Sequence, residues 1–290
     1  MTTKVILGTA TPGGGFPLYG GAFADTINET DTTISVEPRN TKGSTENIPL
    51  LEAGQLDIGL VTGEPAYEAF EGIGRSRSDL KIIAAMYSTA GMFVVRGDST
   101  AKSIGDLKGK PVAFGAKGSG LTILSRYVLD GLGLDQDKDF QAIYLDKAGD
   151  GPAMVLDGRA DALWGGGVGW PGFAAVAQAG GRFIAPNAQE VARIRAKHSF
   201  LKSLTLPAGS YPGQNAPVAS VGSWSFVLAR PTLDDVTAYA LARALDKGRA
   251  GFAKRLAQAR ETTPQNTVAA APRPELIHPG VQKYLREIGL

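Results

Sequence analysis

The chain contains no cysteine, which excludes disulfides, thiolate metal sites and a cysteine nucleophile at once. Histidine is almost as scarce. His198 follows a basic helical stretch and His278 lies in a terminal loop, without H-E-x-x-H or other paired metal spacing. Both read as surface or capping residues. No apolar run approaches the roughly 18 residues that a membrane span requires. Charge is sparse and balanced: 30 Lys+Arg against 28 Asp+Glu leave a formal +2, with no block of five like charges. A nucleic-acid binder would concentrate basic residues on one face, so that class is disfavoured. Met1-Thr2-Thr3-Lys4 runs straight into a strand pattern without an apolar leader. The expectation is a periplasmic protein whose signal peptide is absent from this sequence, the other possibility being a cytosolic one.

What the chain has is apolar content, 43% of 290 residues, and much glycine, 38 residues. That is enough to build substantial cores in one or two domains. The glycines gather at junctions: Gly13-Gly14-Gly15, Gly118-Ser119-Gly120 and Gly165-Gly166-Gly167. Val5-Ile6-Leu7 reads as a buried strand, and Phe16, Tyr19, Phe23 and Ile27 form the stripe of an amphipathic helix. Strands are expected at Thr33–Val36, Asp57–Val61, Ile82–Met86 and Met92–Val95, with a helix through Ile48 and Leu51. The order repeats from residue 100. Pro111–Phe114 is a strand, Leu121 to Leu132 a helix, Ala142–Tyr144 a strand, and Ala160–Leu163 a strand after a short helix. Alternation of strands and helices predicts α/β units with largely parallel sheets. Ser203 to Val221 reads as irregular structure leading to a strand at Trp224–Leu228, and Leu233 to Arg260 as helix.

Three strand-to-helix junctions share one design, small residues plus a hydroxyl where a helix begins: Thr9 to Gly15, Gly43-Ser44-Thr45 and Gly118-Ser119-Gly120. The first N–H groups of a helix lack internal partners, and the helix dipole adds partial positive charge there. Such ends bind carboxylate or phosphate without an arginine. A serine at any one of them is explained more simply as a helix cap; three equivalent junctions favour an anion site. At the second junction, a helix starting at Ser44 would carry Pro49 inside it, so the helix is expected to begin near Asn47, leaving Ser44 and Thr45 in a loop. Phe16, Tyr67, Tyr87, Trp164 and Trp170 also fall near junctions. Trp164 and Trp170 bracket Gly165 to Gly169, where glycine leaves space that the indoles could wall. The candidate ligand-binding residues are Thr9, Thr11, Phe16, Ser44, Thr45, Thr62, Tyr87, Ser119, Gly120, Trp164, Gly165 and Trp170.

Nucleotide and enzyme signatures are missing. Gly13-Gly14-Gly15 does not fit G-x-G-x-x-G, no G-x-x-x-x-G-K-[ST] occurs, and there is no G-x-S-x-G elbow. The expectation is a protein that binds without catalysis and needs no metal or cofactor.

The order of motifs resembles the TAXI family, solute-binding proteins of TRAP (tripartite ATP-independent periplasmic) transporters. The matching stretches are Gly8-Thr9-Ala10 with Pro17-Leu18-Tyr19-Gly20-Gly21, Gly43-Ser44-Thr45-Glu46-Asn47, Leu51 to Leu60, Asp106 to Val112, Gly118-Ser119-Gly120, Asp157 to Ala162, and His278-Pro279-Gly280 with Tyr284. The resemblance implies an α/β, type II periplasmic-binding-protein fold, two α/β lobes with a ligand cleft between them. Residues 1–95 and 222–290 would form the first lobe and residues 96–221 the second. It further implies a monomer that captures a small organic anion, a carboxylate or amino acid, aromatic ones included, and delivers it to membrane subunits of a TRAP transporter. Two rival readings stay open, an enzyme on the same bilobed fold and a ligand-sensing module presented to a receptor.

Overall fold

The computed structural model describes residues 2–290. Its strands are β1 (Thr3–Gly8), β2 (Ile34–Arg39), β3 (Ile58–Val61), β4 (Lys81–Val95), β5 (Pro111–Ala116), β6 (Gln141–Leu145), β7 (Ala162–Gly166), β8 (Arg182–Ile184), β9 (Lys202–Leu206) and β10 (Val218–Ala229). The α-helices are α1 (Gly15–Thr30), α2 (Ser44–Glu52), α3 (Gly63–Glu71), α4 (Leu121–Gly131), α5 (Gly151–Leu156), α6 (Pro171–Gln178), α7 (Ala188–Lys197), α8 (Asp235–Lys247), α9 (Arg249–Arg255), α10 (Pro264–Ala270) and α11 (Pro279–Glu287). Among the described residues no helix is long and apolar enough to cross a membrane.

The chain divides into two compact units. The first holds residues up to Ala10, Phe16–Tyr87 and Trp224–Leu290, and the second holds Thr11–Gly15 and Ser88–Ser223. In the first unit β1 pairs in parallel with both β2 and β3, so the chain leaves β1 and β3 at the same end of the sheet. The later residues of β10 run antiparallel to β3, Phe226 opposite Val61 and Val227 opposite Leu60. One face of this sheet packs on Tyr19, Phe23 and Ile27 of α1, the apolar stripe expected from the sequence. Ile48 and Leu51 of α2 and Ala66 and Phe70 of α3 fill the other face. Aromatic edges close the first core, with Phe252 of α9 at 5.1 Å from Tyr19.

In the second unit β5 pairs in parallel with β6 and with β7, while β7 and β8 run antiparallel to β4. Its core is built on Phe93, Phe114, Leu124, Val128 and Trp164.

Four local expectations change. The strands predicted at Ile82–Met86 and Met92–Val95 are one strand, β4. The small and polar residues between them stay extended, tied in part by Ser220 Oγ, which donates to the Gly91 carbonyl at 2.5 Å. The stretch read as irregular, Ser203 to Val221, contains most of β9 and the start of β10, which pair with each other. The helix read as continuous from Leu233 to Arg260 breaks at Gly248 and again at extended Leu256. At Gly248 a Cβ would lie 2.6 Å from Thr26 Cγ2, so the approach of α1 requires glycine there. Finally α2 begins at Ser44, not near Asn47, and carries Pro49 inside. Proline removes the N–H that would reach back to the Thr45 carbonyl. The first turn holds regardless, because the N–H groups of Glu46 and Asn47 both donate to the Gly43 carbonyl, at 3.0 and 2.9 Å.

Candidate ligand-binding site

In an open α/β sheet the carboxyl ends of parallel strands carry the loops that bind ligands. In the first unit these ends present Thr9 after β1 and Thr62 after β3. Asn47, fully buried, organises them: its side-chain amide donates to the Thr9 and Leu60 carbonyls, both at 2.8 Å, and its carbonyl oxygen accepts from Thr41 Oγ1 at 2.7 Å. Thr9 Oγ1 is turned away to the Arg39 carbonyl at 3.1 Å. Ser44 does not cap its own helix. Its hydroxyl accepts the Thr62 N–H at 3.0 Å and lies 3.4 Å from Thr62 Oγ1, which joins the starts of α2 and α3. Thr45 is exposed. Phe16 and Tyr87 are buried in the first core, Tyr87 edge-on to Tyr19 with centroids 5.5 Å apart.

One group here has no counterpart. Among the described residues, Ser225 Oγ and Gln258 Nε2 are the buried side-chain atoms without a hydrogen-bond partner. A buried hydroxyl left unsatisfied costs about 1–3 kcal/mol, so Ser225 is a feature to be explained. It precedes Phe226 in β10 and, continuing that register, stands opposite Thr62.

In the second unit the residues separate into two groups. Thr11 Oγ1 accepts the Ala148 N–H at 3.1 Å, and the Gly149 N–H donates to the Pro12 carbonyl at 3.3 Å, which ties residues 11–12 to the 148–149 turn within this unit. Ser119 Oγ accepts the Leu121 N–H at 3.2 Å, and its carbonyl accepts from Thr122 Oγ1 at 2.8 Å. Gly120 sits in helical geometry at the N-cap of α4.

The tryptophans do not wall an open space. Trp164 is fully buried, its Nε1–H donating to the Leu121 carbonyl at 2.8 Å and its ring 4.8 Å from Phe93. A Cβ on Gly165 would lie 2.4 Å from the ring of Trp170, so the glycine leaves room for that indole. Trp170 is pinned in turn, its N–H donating to Tyr211 Oη at 2.8 Å while the Tyr211 hydroxyl donates to the Gly167 carbonyl at 2.6 Å. Burial pushes the Tyr211 hydroxyl well above the usual phenol range, so it stays protonated.

The helix starts also differ in charge. α2 has Glu46 in its first turn, its carboxylate accepting the Lys42 N–H at 2.5 Å, and α3 has Glu64, a buried carboxyl. α1 and α4 have no acid in the first turn. An anion is therefore better accommodated at the starts of α1 and α4, where no resident carboxylate offsets the dipole. Sequence reading missed Asn47, Tyr211 and Ser225 as site-building groups. Only Asn47 left a signal, as a polar amide on the apolar-flanked face of a helix.

The architecture is shared with periplasmic binding proteins. The periplasmic aliphatic sulphonate binding protein SsuA from Escherichia coli superposes with a TM-score of 0.54 at 19% identity, over 99% of this chain and 84% of that one. The alkanesulfonate-binding protein SsuA from Xanthomonas axonopodis pv. citri, bound to MOPS, gives 0.52 at 19% identity over 98% and 83%. A protein from Bordetella bronchiseptica RB50 gives 0.61 at 14% identity over 99% and 98%. The chain thus has the periplasmic-binding-protein fold of two α/β units. It belongs to the NMT1-like family, whose sequence profile matches residues 7–289.

Proposed function

We propose that this protein is an extracytoplasmic solute-binding protein that takes up a small organic anion and hands it unchanged to membrane transport subunits. The observation that carries the reading is the pair of helix starts, α1 and α4, that combine glycine, a flanking hydroxyl (Thr11, Ser119) and a first turn without an acid. Desolvating a carboxylate or sulfonate is costly unless oriented donors replace its water, and helix starts supply N–H donors together with partial positive charge. The names of the structural neighbours support it: two are binding proteins for sulfonates, which present the same kind of oxyanion. The motif resemblance to TAXI proteins favours a TRAP-type transporter as the recipient and carboxylates or amino acids as the solute. Of the candidate binding residues, Thr11, Ser119 and Gly120 are assigned to the anionic group. Thr9, Phe16, Ser44, Thr45, Thr62 and Tyr87 are assigned to the rest of the solute, and Trp164, Gly165 and Trp170 to packing behind the site.

A thermal-shift screen of carboxylates, amino acids and alkanesulfonates tests the reading. A solute at 100 times its dissociation constant stabilises the folded state by about 2.7 kcal/mol. For a chain of this size that raises the melting temperature by about 5–10 °C. No shift with any member of the three classes would refute the proposal.

A further inference from the structure

We propose that the hydroxyl of Ser225 is a solute-binding group, engaging a polar atom of the bound molecule beside Thr62. The inference rests on the binding-protein reading above and adds a residue to which neither the motif resemblance nor the junction pattern pointed.

Ser225 stands out by its lack of a hydrogen-bond partner. At this end of the first unit the other hydroxyls with assigned bonds are engaged: Thr9 with Arg39, Thr41 with Thr9 and Asn47, Ser44 with Thr62, and Thr262 with Met86 and Tyr19. Ser225 is 1% exposed and has no partner. Buried hydroxyls left so are uncommon, and each calls for a reason, such as a bound group that supplies the missing partner. Position supplies the second line. Phe226 and Val61 are register partners and share one core, whereas Val227 and Leu60 are partners and share the other. Side chains alternate along a strand, so Ser225 projects to the face of Val227, the face that also carries Phe16, Tyr19 and Tyr87. It does so at the carboxyl end of β3, opposite Thr62, whose extended backbone continues the strand into the N-cap of α3. A hydroxyl there can both donate and accept, so it suits a carboxylate oxygen or an amino group equally. Because Ser225 is sealed from water, the solute reaches it only when this end of the unit opens locally.

The test is Ser225→Ala, measured by calorimetric titration of L-glutamate, L-arginine, benzoate and ethanesulfonate, alongside the melting temperature of the solute-free protein. The expected result is affinity weakened by about tenfold, the factor set by 1.4 kcal/mol, for a probe that the wild type binds. The solute-free melting temperature should be unchanged or higher, since the variant deletes an unsatisfied group. Unchanged affinity, whatever the melting temperature does, overturns this inference and leaves the binding-protein reading standing. A wild type that binds none of the four probes overturns both. Ser225→Thr serves as a second variant: by keeping the hydroxyl it should bind more tightly than the alanine variant, and equal loss in the two would count against the hydroxyl.

Discussion

Replacing Asn47 with alanine should be among the most damaging single changes in the first unit. The amide makes two donated bonds at 2.8 Å and one accepted bond at 2.7 Å, all away from solvent. Each such bond contributes about 1 kcal/mol net, and each buried partner left unsatisfied costs about 1–3 kcal/mol. Thr41 keeps its bond to the Thr9 carbonyl at 3.1 Å, so not every partner is orphaned. The sum is about 3–5 kcal/mol, which at about 2–4 °C per kcal/mol is a fall of roughly 10 °C in melting temperature. Urea unfolding followed by circular dichroism would give the free energy directly. Asn47→Asp sharpens the test. At pH 7 a carboxylate would face two carbonyl oxygens, so the variant should be at least as unstable as alanine. Burial against those carbonyls favours its protonated form, which restores one donor. The folded state then binds the proton more tightly than the unfolded state, so this variant should regain stability as the pH falls from 7 to 5. A loss below about 1 kcal/mol for alanine, or no recovery of the aspartate variant on acidification, would refute the view that Asn47 ties the strand ends together.

Other outcomes follow from the same reasoning. Ser119→Ala deletes a 3.2 Å bond to the Leu121 N–H, so solute-free stability should fall by no more than about 1 kcal/mol while affinity weakens about tenfold; lost stability with unchanged affinity would place the anion elsewhere. Gly222→Ala should abolish soluble folded protein, because its Cβ would sit 1.6 Å from the Thr89 carbonyl oxygen, whereas Gly21→Ala, with no atom within 4 Å of the new methyl, should be neutral or stabilising by about 0.5–1 kcal/mol. His278 is held neutral by burial, its Nδ1 accepting the Gly280 N–H at 3.1 Å and its Nε2 2.9 Å from the Leu233 carbonyl. Its folded pKa lies below the ordinary 6.5, so its contribution is complete above that pH and is lost progressively as the pH falls toward the folded value. Urea midpoints should therefore drop between pH 7 and 5, and less steeply in His278→Phe.

The sequence made the alternating α/β plan legible because the apolar stripes are local. Tyr19, Phe23 and Ile27 announce α1 wherever the helix packs. Pairing partners are not local, and that is where reading failed. β9 is short, with Ser203 and Thr205 on exposed positions, and is a strand only because β10 lies beside it. Pro49 argued against a helix start at Ser44, but the Asn47 network, formed with residues up to 39 positions away, outweighs that local penalty. At the candidate site, the hydroxyls at the junctions could be read from residue type. Their partners could not. Ser44 reads as a loop residue and is the first residue of α2, linked to Thr62, and Trp164 looked like a wall and is a core residue. Ser225 carried no pattern at all, since an unsatisfied hydroxyl is a property of its surroundings.

A solute-binding protein should take up a small organic anion and release it unaltered. Isothermal titration with a solute that raises the melting temperature, followed by mass spectrometry of the recovered solute, tests both halves in one experiment. The expected result is saturation at one solute per chain and recovery of the starting mass in full. Steady conversion to a product, or heat that never saturates, would contradict it.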